Sequence, residues 1–253
     1  DEYIIHECFH YLQDERDKKG RLQTLGICYF SEFKMYGMAM NEAAVQYLTC
    51  KMLNKKQEII EYAGISVITE SKNYYPLLWN LIAQMVYLIG EEALVESTLF
   101  GSERFVLSWM NIAGERVTKE IEDGFDEILN WKQAGSKQSD ILEQNMAISY
   151  EKVQNEILTS YFDGMLPLIE TIEEAENYQE KLFGCRKLLG NTDQFEFYEM
   201  YQQEQLEKIE KKVQELKRKQ EKKMLMVMKH SKIKMLFQML WKFFQKGKEG
   251  YKE

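Results

Sequence analysis

The chain is predicted to be mainly α, with metal-site helices at the start, a helical bundle behind them and a long C-terminal helix. Three observations carry this prediction. Only two prolines occur in 253 residues, and Pro76 and Pro167 both stand just before apolar periodic segments, which suits the first turn of a helix. Glycines at 64, 90, 101, 114, 124, 135, 164, 184 and 190 punctuate stretches rich in Leu, Met, Glu, Lys and Gln, the pattern of helices joined by short loops. Leu77, Leu78, Leu81, Ile82, Met85, Val86 and Ile89 carry the 3–4 spacing of a buried helix face. With 45% apolar and 13% aromatic residues, the chain can bury one substantial core or two small ones.

In chain order, helices are expected over 2–14, 37–62, 75–90, 91–98, 102–113, 115–133, 138–162, 166–183, 194–223 and 224–246. Ile65 to Thr69 is the one short β-branched run; it suits a strand, but a strand alone makes no sheet. The order divides into a metal-site region over 1–100, a helical bundle over 101–200 and a coiled-coil-like, basic amphipathic tail over 201–253.

The first expected helix contains His6-Glu7-Cys8-Phe9-His10, which fits H-E-x-x-H. Histidines four apart stand about 40° apart around a helix, so both imidazoles can reach one metal ion. Glu7, about 100° from His6, can take a proton from water at that metal without ligating it. Cys8 falls about 160° from His10 and is expected to face the core. The plainer reading is a helix with two half-buried histidines and no metal.

A third ligand is expected at Glu42, because two histidines and a glutamate form a recognised catalytic zinc set that leaves a fourth position open. Met38, Val45, Leu48 and Leu53 suggest a buried helix face around it, with Ala43 and Ala44 small enough for close approach. A carboxylate in such a place needs a partner, and zinc would be one. Otherwise Glu42 is an ordinary surface glutamate.

H-E-x-x-H followed some thirty residues later by Asn41-Glu42-Ala43 resembles the gluzincin branch of the zincin metallopeptidases. More closely, Ile5 to Gln13, Met40 to Thr49 and Tyr74-Tyr75-Pro76 are similar to zincin-like proteins of Gram-positive bacteria, over roughly residues 4 to 100. The resemblance implies zinc on His6, His10 and Glu42, with Glu7 as general base. It implies hydrolysis, of an amide above all: zinc lowers the pKa of water toward ~7 and polarises the carbonyl, and Glu7 passes the proton on to the leaving nitrogen. Thermolysin-like gluzincins place an aspartate four residues after the ligand glutamate to orient a histidine; Gln46 stands there here, a weaker but usable acceptor. Asn41, beside the ligand, is a second candidate for orienting the site. Zincins often stabilise the oxyanion with a tyrosine or histidine, for which Tyr36, Tyr74 and Tyr75 qualify by type; Tyr75, next to Pro76, is the catalytic candidate. Zincin-like folds also precede the metal helix with a small sheet, so the sequence is expected to be a fragment of a longer protein.

Cys8, Cys28, Cys50 and Cys185 show neither C-x-x-C nor zinc-finger spacing, so a reduced, buried set is expected. Cytoplasmic or membrane-associated settings are slightly favoured, and localisation and oligomeric state stay open. Charge is distributed unevenly. From Lys208 to Glu253 there are fifteen basic and five acidic residues, a net of +10; a total of −8 leaves −18 for the first 207 residues. Leu206, Ile209, Val213 and Leu216 suit a short coiled coil or a helix packed along the body, a seam that fails at Gln220 and Lys223. Beyond it Met235, Leu236, Met239, Leu240, Phe243 and Phe244 form an apolar stripe flanked by Lys232, Lys234, Lys242, Lys246 and Lys248, with Trp241 beside it. Residues 224–248 thus fit an anionic membrane surface or the acidic body about equally, with a groove-binding partner third. Nucleic acid ranks lower, since no nucleic-acid motif accompanies the tail, and His230 is expected to be solvated.

Two functions from different classes follow. One is a zinc metallohydrolase acting on a peptide or protein substrate. The other is a helical membrane- or protein-interaction protein whose zinc motif is structural or vestigial.

Overall fold

In chain order the elements are α1 (Glu2–Gln13), β1 (Asp14–Arg16), β2 (Leu22–Leu25), β3 (Tyr29–Ser31), β4 (Lys34–Tyr36), α2 (Met38–Met52), β5 (Glu58–Tyr62), β6 (Ile65–Thr69), α3 (Pro76–Ile89), α4 (Glu91–Phe100), α5 (Arg104–Ala113), α6 (Glu115–Gln133), α7 (Ser139–Leu168), α8 (Ile172–Cys185), a 3₁₀ turn (Arg186–Leu188) and α9 (Thr192–Glu249). The computed structural model describes residues 1–16, 18–20, 22–31, 34–133, 139–189 and 192–249. The chain is mainly α, as its composition predicts.

α2 is the central element. Ala39, Ala43, Ala44, Val45 and Cys50 are fully buried, and α3 and α6 pack against it. One hydrophobic cluster runs from Ile27 through α3, α5, α6 and α7 to Ile209 and Leu216 of α9. α3 is buried on nearly every side and begins with Pro76 in its first turn. Its expected apolar face is therefore only part of a helix that solvent hardly reaches.

Three boundaries differ from expectation. The helix expected over 37–62 ends at Met52, because Asn54 takes a positive φ of 49° and the Lys55 N–H turns back to the Cys50 carbonyl. Glu58–Tyr62 is instead a strand, antiparallel to Ile65–Thr69 with Tyr62 opposite Ile65. The two-residue connection Ala63-Gly64 has positive φ at both positions, the backbone a tight hairpin requires and one that glycine accepts readily. Ile65, Val67 and Thr69 point inward at alternate positions, so the β-branched run does find a partner strand and buries one face.

Pro167 does not open a helix. It lies in the last turn of α7, where a missing N–H costs one ladder bond, and the next helix starts at a capping box. Thr171 Oγ1 accepts from the Glu174 N–H while the Glu174 carboxylate accepts from the Thr171 N–H. The tail also departs from expectation, because residues 194–223 and 224–246 belong to one continuous helix. Ile209 and Leu216 of the expected seam are buried and Leu206 and Val213 pack on the core, so the seam packs along the body. His230 is exposed. The side chains of Leu240, Trp241, Lys242, Phe243, Phe244, Lys246 and Lys248 lie outside the described residues.

Two short hairpins separate α1 from α2: β1 with β2, and β3 with β4. They lead the chain back so that α1 lies along α2. That return places His6 and His10 over Glu42.

Candidate metal centre

α1 is half immersed. His6 and Gln13 are its buried residues, and His10 is partly covered. Cys8, expected to face the core, is exposed, because α1 meets the body only along the face that carries His6, His10 and Gln13. The other three cysteines are buried, and burial pushes the thiols of Cys28, Cys50 and Cys185 up to about 12.

His6, His10 and Glu42 converge. His6 Nε2 lies 3.0 Å from His10 Nε2 and 3.3 Å from Glu42 Oε2, and His10 Nε2 lies 3.2 Å from Glu42 Oε1. A tetrahedral ion with bonds of 2.0–2.1 Å holds its ligand atoms about 3.4 Å apart, close to this triangle. These three residues could hold a metal ion. Burial of Glu42 opposes its ionisation, but hydrogen bonds from His10 and His6 outweigh it and hold the carboxyl at about 2. The hydrogen bond to Glu42 likewise raises the pKa of His10, against burial. The cluster favours positive charge at its centre.

The surrounding amides decide where the imidazole protons sit. Gln46 is fully buried, and its Nε2 donates to Glu2 Oε1 and to Ser71 Oγ, both at 2.8 Å. Its Oε1 therefore faces His6, and His6 Nδ1–H donates to it at 2.9 Å. A carboxylate at this position would confront Glu2, which gives a physical reason for an amide here. Glu2 is held in turn by Lys55, at 2.9 Å.

His10 is oriented by a parallel relay. The Ile27 backbone N–H and Gln13 Nε2 donate to Asn41 Oδ1, at 3.2 and 3.0 Å, which leaves Asn41 Nδ2 to donate to Gln13 Oε1 at 3.1 Å. Gln13 Oε1 then accepts from His10 Nδ1–H, also at 3.1 Å. Both histidines thus keep a proton on Nδ1, and in their neutral, metal-binding form they turn Nε2 lone pairs toward Glu42. With the imidazoles neutral, three acceptors meet there, and a proton on Nε2 or a cation can satisfy them.

Gly26 makes room for the second relay. Its φ is +57°, and a Cβ there would overlap Asn41 Oδ1 and Gln13 Nε2.

The centre opens into a cleft of about 390 Å³ whose walls include Glu7, Met38, Tyr74, Tyr75 and Leu129. Glu7 is exposed and faces the cleft. Tyr75 sits at the start of α3 in a left-handed conformation, φ 53° and ψ 48°, that costs a non-glycine residue roughly 1 kcal/mol. Its ring lies 6.3 Å from that of His6, and burial followed by the Glu42 charge raises its pKa. Ser71 joins this loop to the first relay, accepting from Gln46 and donating to the Tyr74 carbonyl. Tyr36 lies elsewhere, stacked on Tyr29 at 5.3 Å.

Sequence reasoning missed Gln13, Gly26, Ser71 and Lys132. Gln13 could have been found, since it follows His10 by three on the same helix face. Lys132, near the end of α6, places Nζ 3.9 Å from the centre of the Tyr75 ring, where burial lowers its pKa against the Glu42 charge. Nothing local marks it. Comparison of the chain with protein families, with curated proteins and with solved structures found no match.

Proposed function

We propose that the chain is a zinc-dependent hydrolase of amide bonds, most simply a peptidase, with His6, His10 and Glu42 as ligands and Glu7 as general base. The observation that carries this reading is the convergence of His6, His10 and Glu42 beside an open cleft that Glu7 lines. A purely structural zinc site closes its fourth position with protein, whereas a catalytic one leaves it open. The kinship with gluzincins is part of the same proposal and rests on H-E-x-x-H and Asn41-Glu42.

Zinc, when bound, polarises a carbonyl and eases the ionisation of water. The chain's own residues do the rest. Gln46 and Gln13 keep the imidazoles in the ligating tautomer. Glu7, on the open side of α1, takes the proton from the attacking water and returns it to the leaving nitrogen. Tyr75, over the cleft, donates its hydroxyl to the carbonyl oxygen as negative charge develops there, and Lys132 behind its ring favours that charge. Met38 and Leu129 offer apolar walls to substrate side chains.

The test compares zinc-loaded wild type, Glu7→Gln and Tyr75→Phe on a broad peptide mixture read by mass spectrometry. Glu7→Gln is expected to keep its zinc and lose cleavage by roughly a hundredfold or more, the usual worth of a general base. Equal cleavage by wild type and Glu7→Gln, or bound zinc with no cleavage by either, favours the structural or vestigial site.

A further inference from the structure

We infer that the distal part of α9, from Lys222 to Met239, docks on an anionic lipid surface. Among the described side chains Leu216 is the last buried one of the helix, and every residue from Lys217 to Leu236 is exposed. Met224 to Met228, Ile233, Met235, Leu236 and Met239 stand in solvent with about half or more of their surface uncovered. A run of apolar side chains on this scale marks an interaction surface. From Leu216 to Met239 the helix extends about 35 Å, ample length for a contact of its own.

Charge identifies the occupant. Between Lys222 and Lys248 there are eight lysines, no arginine and no acidic residue. Pairing this helix with its counterpart in a second copy would set eight positive charges against eight. The lysines also do not keep to one face: Lys229 lies about 40° around the helix from Ile233 and about 20° from Leu236. A protein groove that covered Ile233 and Leu236 would bury the Lys229 ammonium with them. At a headgroup layer the same lysine extends its methylenes along the apolar side and leaves its charge among the phosphates. Lysine without arginine suits attraction to a charged surface more than bidentate recognition of single phosphates. The first 207 residues, at −18, are repelled by such a surface, so the helix must supply the attachment. Among the described residues no helix is long and apolar enough to cross a membrane, so the contact lies in the interface.

The experiment is flotation of the full chain with vesicles of phosphatidylcholine alone and of phosphatidylcholine with phosphatidylglycerol. Binding to the anionic vesicles only, weakened by salt, is expected. Replacing Lys229, Lys232 and Lys234 together by Gln should weaken it roughly a hundredfold. Ile233→Ser with Leu236→Ser should weaken it with the charge intact, and circular dichroism checks that both variants remain folded. Equal binding to the two vesicle types, no binding to either, or a salt-sensitive affinity for duplex DNA matching that for vesicles would overturn the inference. So would a self-association in sedimentation equilibrium that the Ile233/Leu236 variant abolishes while vesicle binding persists.

Discussion

The amide network around His6 and His10 and the one around Asn80 use the same kinds of side chain and close differently. Asn80, fully buried in α3, spends both amide hydrogens on the backbone carbonyls of Ile68 and Leu188, at 2.8 and 2.9 Å. Its Oδ1 receives Gln84 Nε2 and the Tyr150 hydroxyl, and that hydroxyl receives Gln154 Nε2. The centre is complete, and only the amide oxygens of Gln84 and Gln154 at its margin lack donors. This network ties α3 to β6, α7 and the 3₁₀ turn. Near His6 and His10 the amides end on the Nδ1 side, and when the imidazoles are neutral two lone pairs and a carboxylate face each other at the centre. Burial of polar groups builds structure when donors and acceptors balance inside the protein, and builds a binding site when they do not.

The sharpest way to break this contrast is to remove an acceptor from the unbalanced centre. Glu42→Ala is expected to lower zinc affinity by well over the roughly hundredfold that loss of an orienting partner costs, measured by competition with a chelator. Asn80→Ala attacks the balanced network. It strands two backbone carbonyls and should cost about 3 kcal/mol in denaturant unfolding, with zinc affinity unchanged in the folded protein. Gln46→Leu and Gln13→Leu release the histidine tautomers without touching a ligand, and each should weaken zinc by about ten- to a hundredfold. Gly26→Ala is the mildest. The added methyl pushes Asn41 and Gln13 apart and strains a left-handed backbone, so a loss of about 1 kcal/mol in stability is expected, with a several-fold weaker metal.

The three candidate ligands were legible because their relation is local or compositional. His6 and His10 share a helix face by spacing alone, and Asn41-Glu42 stands out on a helix whose neighbours are small and apolar. Gln46 was readable as an oriented partner, whereas the reason for an amide there depends on Glu2 and Ser71, which approach from other elements. Lys132 reaches Tyr75 only because α6 packs beside α2, and no pattern in the 56 intervening residues encodes that. The hairpin over 58–69 was hidden for a different reason. Ala63-Gly64 is a weak turn signal, and the Glu-Ile-Ile-Glu of β5 reads equally well as helix until its partner strand is known. Thr171 and Glu174 carried a plain helix start that the more conspicuous Pro167 obscured.

The tail gives a second contrast with the body, in sign of charge and in burial, but the proposed function turns on the convergence of His6, His10 and Glu42. The decisive measurement is the stoichiometry and X-ray absorption spectrum of zinc in the purified full chain. One zinc per chain is expected, with two imidazole nitrogens and oxygen ligands at about 2.0–2.2 Å, and loss of the imidazole signal in His6→Ala with His10→Ala. Substoichiometric zinc, or a full complement whose ligands contain no imidazole, would contradict it.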